Sequence, residues 1–414
     1  MKTRIAWLCA LLALSAAPVV AGETAGHEQV LQRVILIRHG IRSPTKAPAD
    51  LAKYAADPWP AWPVAPGLLT PRGIDTLHSL GRRMGKDLAA AGLPGDACGG
   101  ALQVIADSTP RNRASADALL QGLSPQCAAT YKAFPAGQDD PLFRGTGDGD
   151  DDEKAGIDSA AISEKTRRTL AELQQVLLGC HDEACLAKAR MDSKQILLGG
   201  DMAKALKTAG SLAENIMLAY VQGMPASDYG WGRLDAAGVA RIITLHNDSF
   251  HLAHATPGAS RGRGGNMLAH IAATLATAAG KTPAADPLAP ATTRVLVLIG
   301  HDTDLAAQAG LLGLDWHDAT RGDDFPPGGA LVYDLVQTPR GKAVRLSVAM
   351  PTLAALRAGD LSAGTAIVHK VLPLGACGGT PTCAIDRFMG LATDAAGDAW
   401  KPQAGEEPEV PKKV

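Results

Sequence analysis

Two runs of aliphatic residues, Val34-Ile35-Leu36-Ile37 and Val295-Leu296-Val297-Leu298-Ile299, each end in a short polar motif. No other feature of the chain limits its fold as much. Runs of this length without polar alternation, rich in β-branched side chains, fit strands buried on both faces of a parallel sheet. The first leads into Arg38-His39-Gly40-Ile41-Arg42-Ser43-Pro44-Thr45 and the second into Gly300-His301-Asp302-Thr303. Ligands of open α/β sheets sit beyond the carboxyl ends of the strands, so both motifs are expected on one rim. Two histidines, two arginines and an aspartate would meet there, which makes an anion site containing a nucleophile and an acid.

The pattern between and after these runs is also α/β. Thr70-Pro71 reads as a helix start, with Thr as N-cap and Pro in the first helical position. Ile74, Leu77, Leu80, Met84 and Leu88 follow at helical spacing and predict one buried face. Leu102 to Ala106 is a third candidate strand, ending in Asp107-Ser108-Thr109-Pro110-Arg111. Residues 135–155 are rich in Gly, Pro and Asp, as a surface excursion is. The acidic run Asp148 to Glu153 invites a calcium-loop reading. It lacks the glycine of an EF-hand loop, and Ser159 stands where the bidentate glutamate belongs, so a solvated loop is expected. Residues 160–280 carry helical periodicity, after which the strand at Val295 returns to the sheet. Pro326-Pro327-Gly328-Gly329 leads into Ala330-Leu331-Val332-Tyr333, and with Ala343 to Met350 this predicts an antiparallel edge hairpin. The expected architecture is α/β: a mixed, mainly parallel sheet flanked by helices, with a smaller helical domain inserted. Residues 28–135 and 281–414 would form the α/β domain, and residues 136–280 the helical one.

Lys2 and Arg4 precede an apolar stretch from Ile5 to Ala17, and Val19-Val20-Ala21 offers small residues for cleavage. Residues 1–21 therefore read as a secretory signal, too short to span a bilayer, and predict export to the periplasm. No other stretch reaches the roughly 20 apolar residues that a span requires. Beyond Cys9 of the signal, the cysteines are Cys98, Cys127, Cys180, Cys185, Cys377 and Cys383. Six cysteines allow 15 pairings, but the close pairs Cys180/Cys185 and Cys377/Cys383 favour local bridges and leave Cys98 with Cys127. Neither close pair has C-x-x-C spacing, which disfavours zinc, so no metal or cofactor is expected. A formal net charge of −2 argues against a general nucleic-acid or membrane-surface role. The expected partner is a small phosphate ester, met by a monomer.

A histidine between two arginines at a strand end suits phosphoryl transfer, which asks for positioning and charge stabilisation above all. Guanidinium forks match phosphate oxygens and stay charged at any working pH. They would also lower the pKa of His39 and keep its attacking nitrogen unprotonated in acid. Asp302 is placed to protonate a departing alkoxide, and it must carry a proton to do so, which implies an acidic working range.

The R-H-G-x-R-x-P pattern with a distant H-D resembles the histidine acid phosphatase family, and within it the bacterial periplasmic phytases and glucose-1-phosphatases. Trp59-Pro60-Ala61-Trp62-Pro63-Val64, Leu69-Thr70-Pro71-Arg72-Gly73, Gln222-Gly223-Met224-Pro225, Gly230-Trp231-Gly232-Arg233, Leu245-His246-Asn247 and Pro326-Pro327-Gly328-Gly329 resemble phytase segments in the same order. The resemblance implies a phosphoglycerate-mutase-like fold. It implies His39 as phosphorylated nucleophile and Asp302 as proton donor, with Arg38, Arg42, Arg111 and His301 on the scissile phosphate. Aligning the stretch by Asp107 selects Arg111 over Arg113 for that role. Thr45, Lys46, Met224, His246, Arg263 and Thr303 match positions that meet substrate.

Those phytases read H-D-T-N and the glucose-1-phosphatases H-D-S-N, whereas this chain reads His301-Asp302-Thr303-Asp304. Thr303 favours a phytase, as do Thr45 and Lys46. The extra carboxylate of Asp304 either weakens the anion pocket or caps the helix that begins at Leu305-Ala306-Ala307, and the cap is the expectation. The expected function is an acid phosphomonoesterase, acting on phytate through a phosphohistidine. The alternatives are a glucose-1-phosphatase or broad sugar-phosphate phosphatase, a related mutase, and a phosphate-ester binding protein without catalysis.

Overall fold

The computed structural model describes residues 28–145, 156–318 and 321–399. The signal segment at 1–21 and the acidic run at 148–153 lie outside them. Eight strands form one sheet: β1 (Gln29–Arg38), β2 (Leu102–Ala106), β3 (Lys132–Ala133), β4 (Val295–Gly300), β5 (Ala330–Thr338), β6 (Gly341–Pro351), β7 (Ile367–Val371) and β8 (Cys383–Ala384). Their order is β3-β2-β4-β1-β5-β6-β7, with β8 also on β6. The sheet is mixed. β1 to β4 pair in parallel, and the β5–β8 half is antiparallel.

The two aliphatic runs are the parallel neighbours β1 and β4, in register from Arg33 opposite Val295 to Arg38 opposite Gly300. Both polar motifs therefore leave the sheet at the same level. Alternation along these strands divides the core into two layers. Ile35, Ile37, Val297 and Ile299 face Leu77, Leu80 and Leu119 of the helices Pro71–Ala90 and Pro110–Leu123. Val34, Leu36, Leu296 and Leu298 face Leu275, Leu305 and Phe388 of the helices Pro257–Ala278, Asp302–Leu312 and Ile385–Ala396.

Two expectations need correction. The hairpin β5–β6 is not an edge: β5 pairs with β1 on the side away from β4, and β7 and β8 close over β6. β5 is buried from Ala330 to Val336, as a strand covered on both sides must be. In the helix Pro71–Ala90, Thr70 caps as expected, accepting from the Gly73 amide at 3.0 Å. Ile74, however, is exposed, and Gly73 takes its place on the buried face. A Cβ on Gly73 would lie 2.2 Å from the Ile41 carbonyl oxygen, so the first turn packs backbone to backbone and leaves no room for a side chain.

Between β3 and β4 the described residues contain helices and no strand. The longest are Glu164–Leu178, Met202–Val221 and Pro257–Ala278. Among the described residues no helix is long and apolar enough to cross a membrane. Disulfides join Cys98 to Cys127, Cys180 to Cys185 and Cys377 to Cys383. The first closes the longest loop, a separation of 29 residues, and loop-entropy models value such a link at about 3–4 kcal/mol. Replacing both Cys98 and Cys127 by serine is expected to lower the unfolding free energy by that amount, as chemical denaturation would measure. The same replacement at Cys180/Cys185 should cost less, and an inverted ranking would remove the loop-entropy account.

Candidate active site

His39 is the first residue past β1, and it is 1% exposed. Its amide donates to the Gly300 carbonyl at 2.9 Å, which extends the β1–β4 ladder into the motif. The strap Pro326–Gly329 lies alongside, where the Arg38 amide donates to the Gly329 carbonyl at 2.9 Å. Nδ1 of His39 stands 2.9 Å from the Gly40 carbonyl. A carbonyl only accepts, so Nδ1 carries the hydrogen and Nε2 keeps its lone pair. Burial, joined by the positive charges of Arg111, Arg38 and Arg42, holds the imidazole well below its ordinary pKa. The ring is thus biased toward its neutral form.

Three guanidiniums surround it. Arg38, fully buried, donates to the Phe325 carbonyl and to Glu214, and lies 2.7 Å from Asp302 Oδ2. Arg42 reaches the two Glu214 oxygens at 3.0 and 3.1 Å. Arg111, in the first turn of the helix Pro110–Leu123, stands 3.2 Å from His301 Nδ1. Nε of all three arginines is buried without a partner among the described residues. Burial and the neighbouring Arg42 lower Arg111 to about 10. Buried guanidinium donors crowded together at this cost fit a pocket for an anion.

Glu214 was not legible as a site residue. It is a lone carboxylate in the apolar stretch Leu212-Ala213-Glu214-Asn215-Ile216-Met217, and that isolation is the only signal the sequence carries. Burial works to raise its pKa, but Arg42 and Arg38 outweigh that and hold it ionised. Removing one partner of a buried ion pair typically costs about 3–5 kcal/mol. Glu214→Ala is therefore expected to lower the melting temperature, with inorganic phosphate recovering part of the loss by occupying the same guanidiniums. An unchanged melting temperature would mean that solvent already screens the two arginines.

His301 and Asp302 open the helix Asp302–Leu312 at the end of β4. Nε2 of His301 is 2.8 Å from Asp107 Oδ2. That carboxylate fixes the tautomer, so Nε2 donates and Nδ1 faces Arg111. Burial lowers His301 to about 4 despite Asp107. Asp302 Oδ1 accepts from the Thr303 amide at 2.9 Å. Burial pushes Asp302 up, but the Arg38 guanidinium above all outweighs it and holds the carboxyl below the usual range. His246, from the helix Thr244–His254, brings Nε2 to 3.7 Å from Asp302 Oδ2 and stacks on Phe250 with ring centroids 4.1 Å apart.

Thus Arg38, His39, Arg42, Arg111, His246, His301 and Asp302 converge. Arg263 donates to Thr303 Oγ1 at 2.7 Å and to Asp304 at 3.2 Å, just behind the H-D segment. Thr45 and Lys46 are exposed on the loop that follows the first motif. Met224 is half-buried past the end of the helix Met202–Val221, with its carbonyl taken by Arg357 at 3.0 Å. Among the described residues, none of these three hydrogen-bonds or ion-pairs with the buried cluster. Asp304 does cap its helix, accepting from the His301 amide at 2.7 Å.

A strand-end histidine among arginines, with a buried aspartate nearby, suits phosphoryl transfer. The profile of the histidine phosphatase superfamily (branch 2) matches residues 29–183. The chain is 31% identical over 354 residues to phytase AppA of Escherichia coli K12, covering 78% of this chain and 81% of that protein. It therefore belongs to this superfamily branch and is a histidine acid phosphatase. It is also 26% identical over 357 residues to a glucose-1-phosphatase of Salmonella typhimurium, covering 80% of this chain and 83% of that one. Among solved structures, Hafnia alvei phytase in complex with myo-inositol hexakis sulphate matches with a TM-score of 0.77 at 26% identity, over 91% of this chain and all of that one.

Proposed function

We infer that the protein is a phytase, removing phosphate from myo-inositol hexakisphosphate through a phosphohistidine on His39. The observation that carries this reading is the neutral His39 ring, with Nε2 unencumbered, among Arg38, Arg42 and Arg111 and close to Asp302. Nε2 attacks phosphorus in line while the guanidiniums take the charge on the equatorial oxygens. As the ester bond breaks, Asp302 gives its proton to the leaving oxygen. Water then attacks the phosphohistidine, its proton passes to the Asp302 carboxylate, and inorganic phosphate leaves with the acid restored.

Asp302 is ionised against Arg38 in the resting site, so it must gain a proton first. Substrate supplies the reason. A phosphate group drawing on Arg38 loosens that pair and adds negative charge, and both changes raise the carboxyl pKa. Proton uptake on binding, and activity that fades as pH rises, are the expected consequences. The likeness to AppA and to Hafnia alvei phytase favours phytate. The segment at 1–21 supports export to the periplasm.

The test is a substrate panel on purified protein, with inositol phosphate products resolved by chromatography. Phytate should give the highest kcat/KM. If glucose 1-phosphate outperformed it, the assignment would move to the glucose-1-phosphatases.

A further inference from the structure

One face of the sheet is only partly covered. Ile37, Ala330, Ala349 and His369 stand side by side across β1, β5, β6 and β7, with Ile35, Val332 and Ser347 in the next row. Leu80, Met84 and Leu88 of the helix Pro71–Ala90 lie opposite, but Ala330, Ala349 and Ser347 are too short to fill the space beneath them. The gap is a cavity of about 110 Å³. Arg33, Arg83, Asp87 and His369 line it as well and reach solvent. The arginines and histidines of the phosphate pocket do not. Gly328 also borders it, and its amide meets the Arg38 and His39 carbonyls at 3.2 and 3.3 Å, so the cavity backs onto the strap beside the nucleophile.

The lining selects the chemistry of an occupant. Water suits the floor and roof badly, because they offer it few of the polar partners it needs, whereas a hydrocarbon body suits them well. The polar wall is rich in donors. Arg33 commits Nε and Nη2 to Asp334, at 2.6 and 2.9 Å, and has no partner for Nη1 among the described residues. Arg83 commits Nε to Asp87 at 2.8 Å and Nη1 to the Ala363 carbonyl at 2.9 Å, which leaves Nη2. Neither the Ser347 hydroxyl nor the His369 ring has a hydrogen-bond partner among the described residues. The carboxylates here are already neutralised: Asp87 by Arg83, and Asp334 by Arg33 and by Arg345, which also meets Glu28. We propose that this cavity is a second ligand site, separate from the phosphate pocket, for a small monocarboxylate with a body no larger than a benzene ring. The hydrocarbon rests on the sheet, and the carboxylate accepts from Arg33, Arg83 and Ser347. Apolar cavities of about 150 Å³ hold a benzene ring, and this smaller one opens at its polar wall, where the head group emerges. Such a site stands whichever ester the enzyme cleaves.

The experiment is calorimetric binding of benzoate and of benzyl alcohol to the whole protein, with saturating inorganic phosphate present so that the phosphate pocket is filled. Benzoate should bind once per chain and about tenfold tighter than benzyl alcohol, the scale of one charge-assisted hydrogen bond. Ala349→Leu fills the cavity and should abolish benzoate binding, while continued hydrolysis of p-nitrophenyl phosphate shows that the variant has folded. Should Ala349→Leu not fold, Arg83→Met serves instead: it keeps an apolar stem over the cavity and should bring benzoate down to the affinity of benzyl alcohol. No saturable binding to wild type, equal affinity for the two probes, or benzoate binding untouched by the variant would each overturn the proposal. Binding that weakens as protein concentration rises would mean that a second copy of the chain covers the opening, and would overturn it too.

Discussion

His39→Ala is expected to lose turnover by at least about 10⁴-fold, the scale on which removing a catalytic nucleophile acts. Substrate binding should survive, because Arg38, Arg42 and Arg111 are held by Glu214, Asp302 and His301 and not by His39. Wild-type enzyme quenched in alkaline denaturant during turnover should carry one phosphoryl group, stable to base and labile to acid, on His39. The variant should carry none. Label on a serine or aspartate, or normal turnover in the variant, would falsify the phosphohistidine route. A binding protein without catalysis would show no label in either form and a change in affinity alone.

Asp302→Asn tests the proton donor, and its effect should depend on the leaving group. The amide preserves the acceptor for the Thr303 amide but has no proton of suitable acidity to give. General acid catalysis typically contributes about 10²–10⁴-fold, and the loss should reach that size for alkoxide leaving groups such as inositol and sugar oxygens. A p-nitrophenolate leaves with little help and should be slowed far less. The rate to compare is that of enzyme phosphorylation, because a shared slow dephosphorylation would hide the contrast in steady-state turnover. An equal fall for both substrates would clear Asp302 of the acid role. Suspicion would then pass to Asp107, which is already bound to His301.

The part of the site legible in the sequence is the part that the chain presents in contiguous motifs. Arg38, His39 and Arg42 follow one buried strand and His301 and Asp302 another, so strand logic alone put them on one rim. Glu214 and Asp107 were harder, because a buried carboxylate is defined by its neutralising partners and these arrive from distant segments. Glu214 reads as one charge in an apolar helix until Arg38 and Arg42 are placed beside it. Asp304 shows the same limit from the other side. A helix cap was expected and is present, yet its second oxygen serves Arg263, whose position depends on helix packing that no local pattern encodes. In the fold, the sequence signals the β5–β6 hairpin but not its place inside the sheet. Its burial on both sides comes from β1 on one flank and from β7 and β8 beyond β6.

The position of β1 has a consequence for how the chain must mature. Its two neighbours are β4 and β5, which begin at Val295 and Ala330. A chain growing from its amino terminus thus exposes an aliphatic strand with both edges open until most of the protein has been made. Such edges template pairing with other chains, and closing them late requires long loops to be ordered first. The strand that carries His39 is therefore open to misassembly until late, and truncations upstream of β4 should aggregate instead of leaving a weakly active half-enzyme.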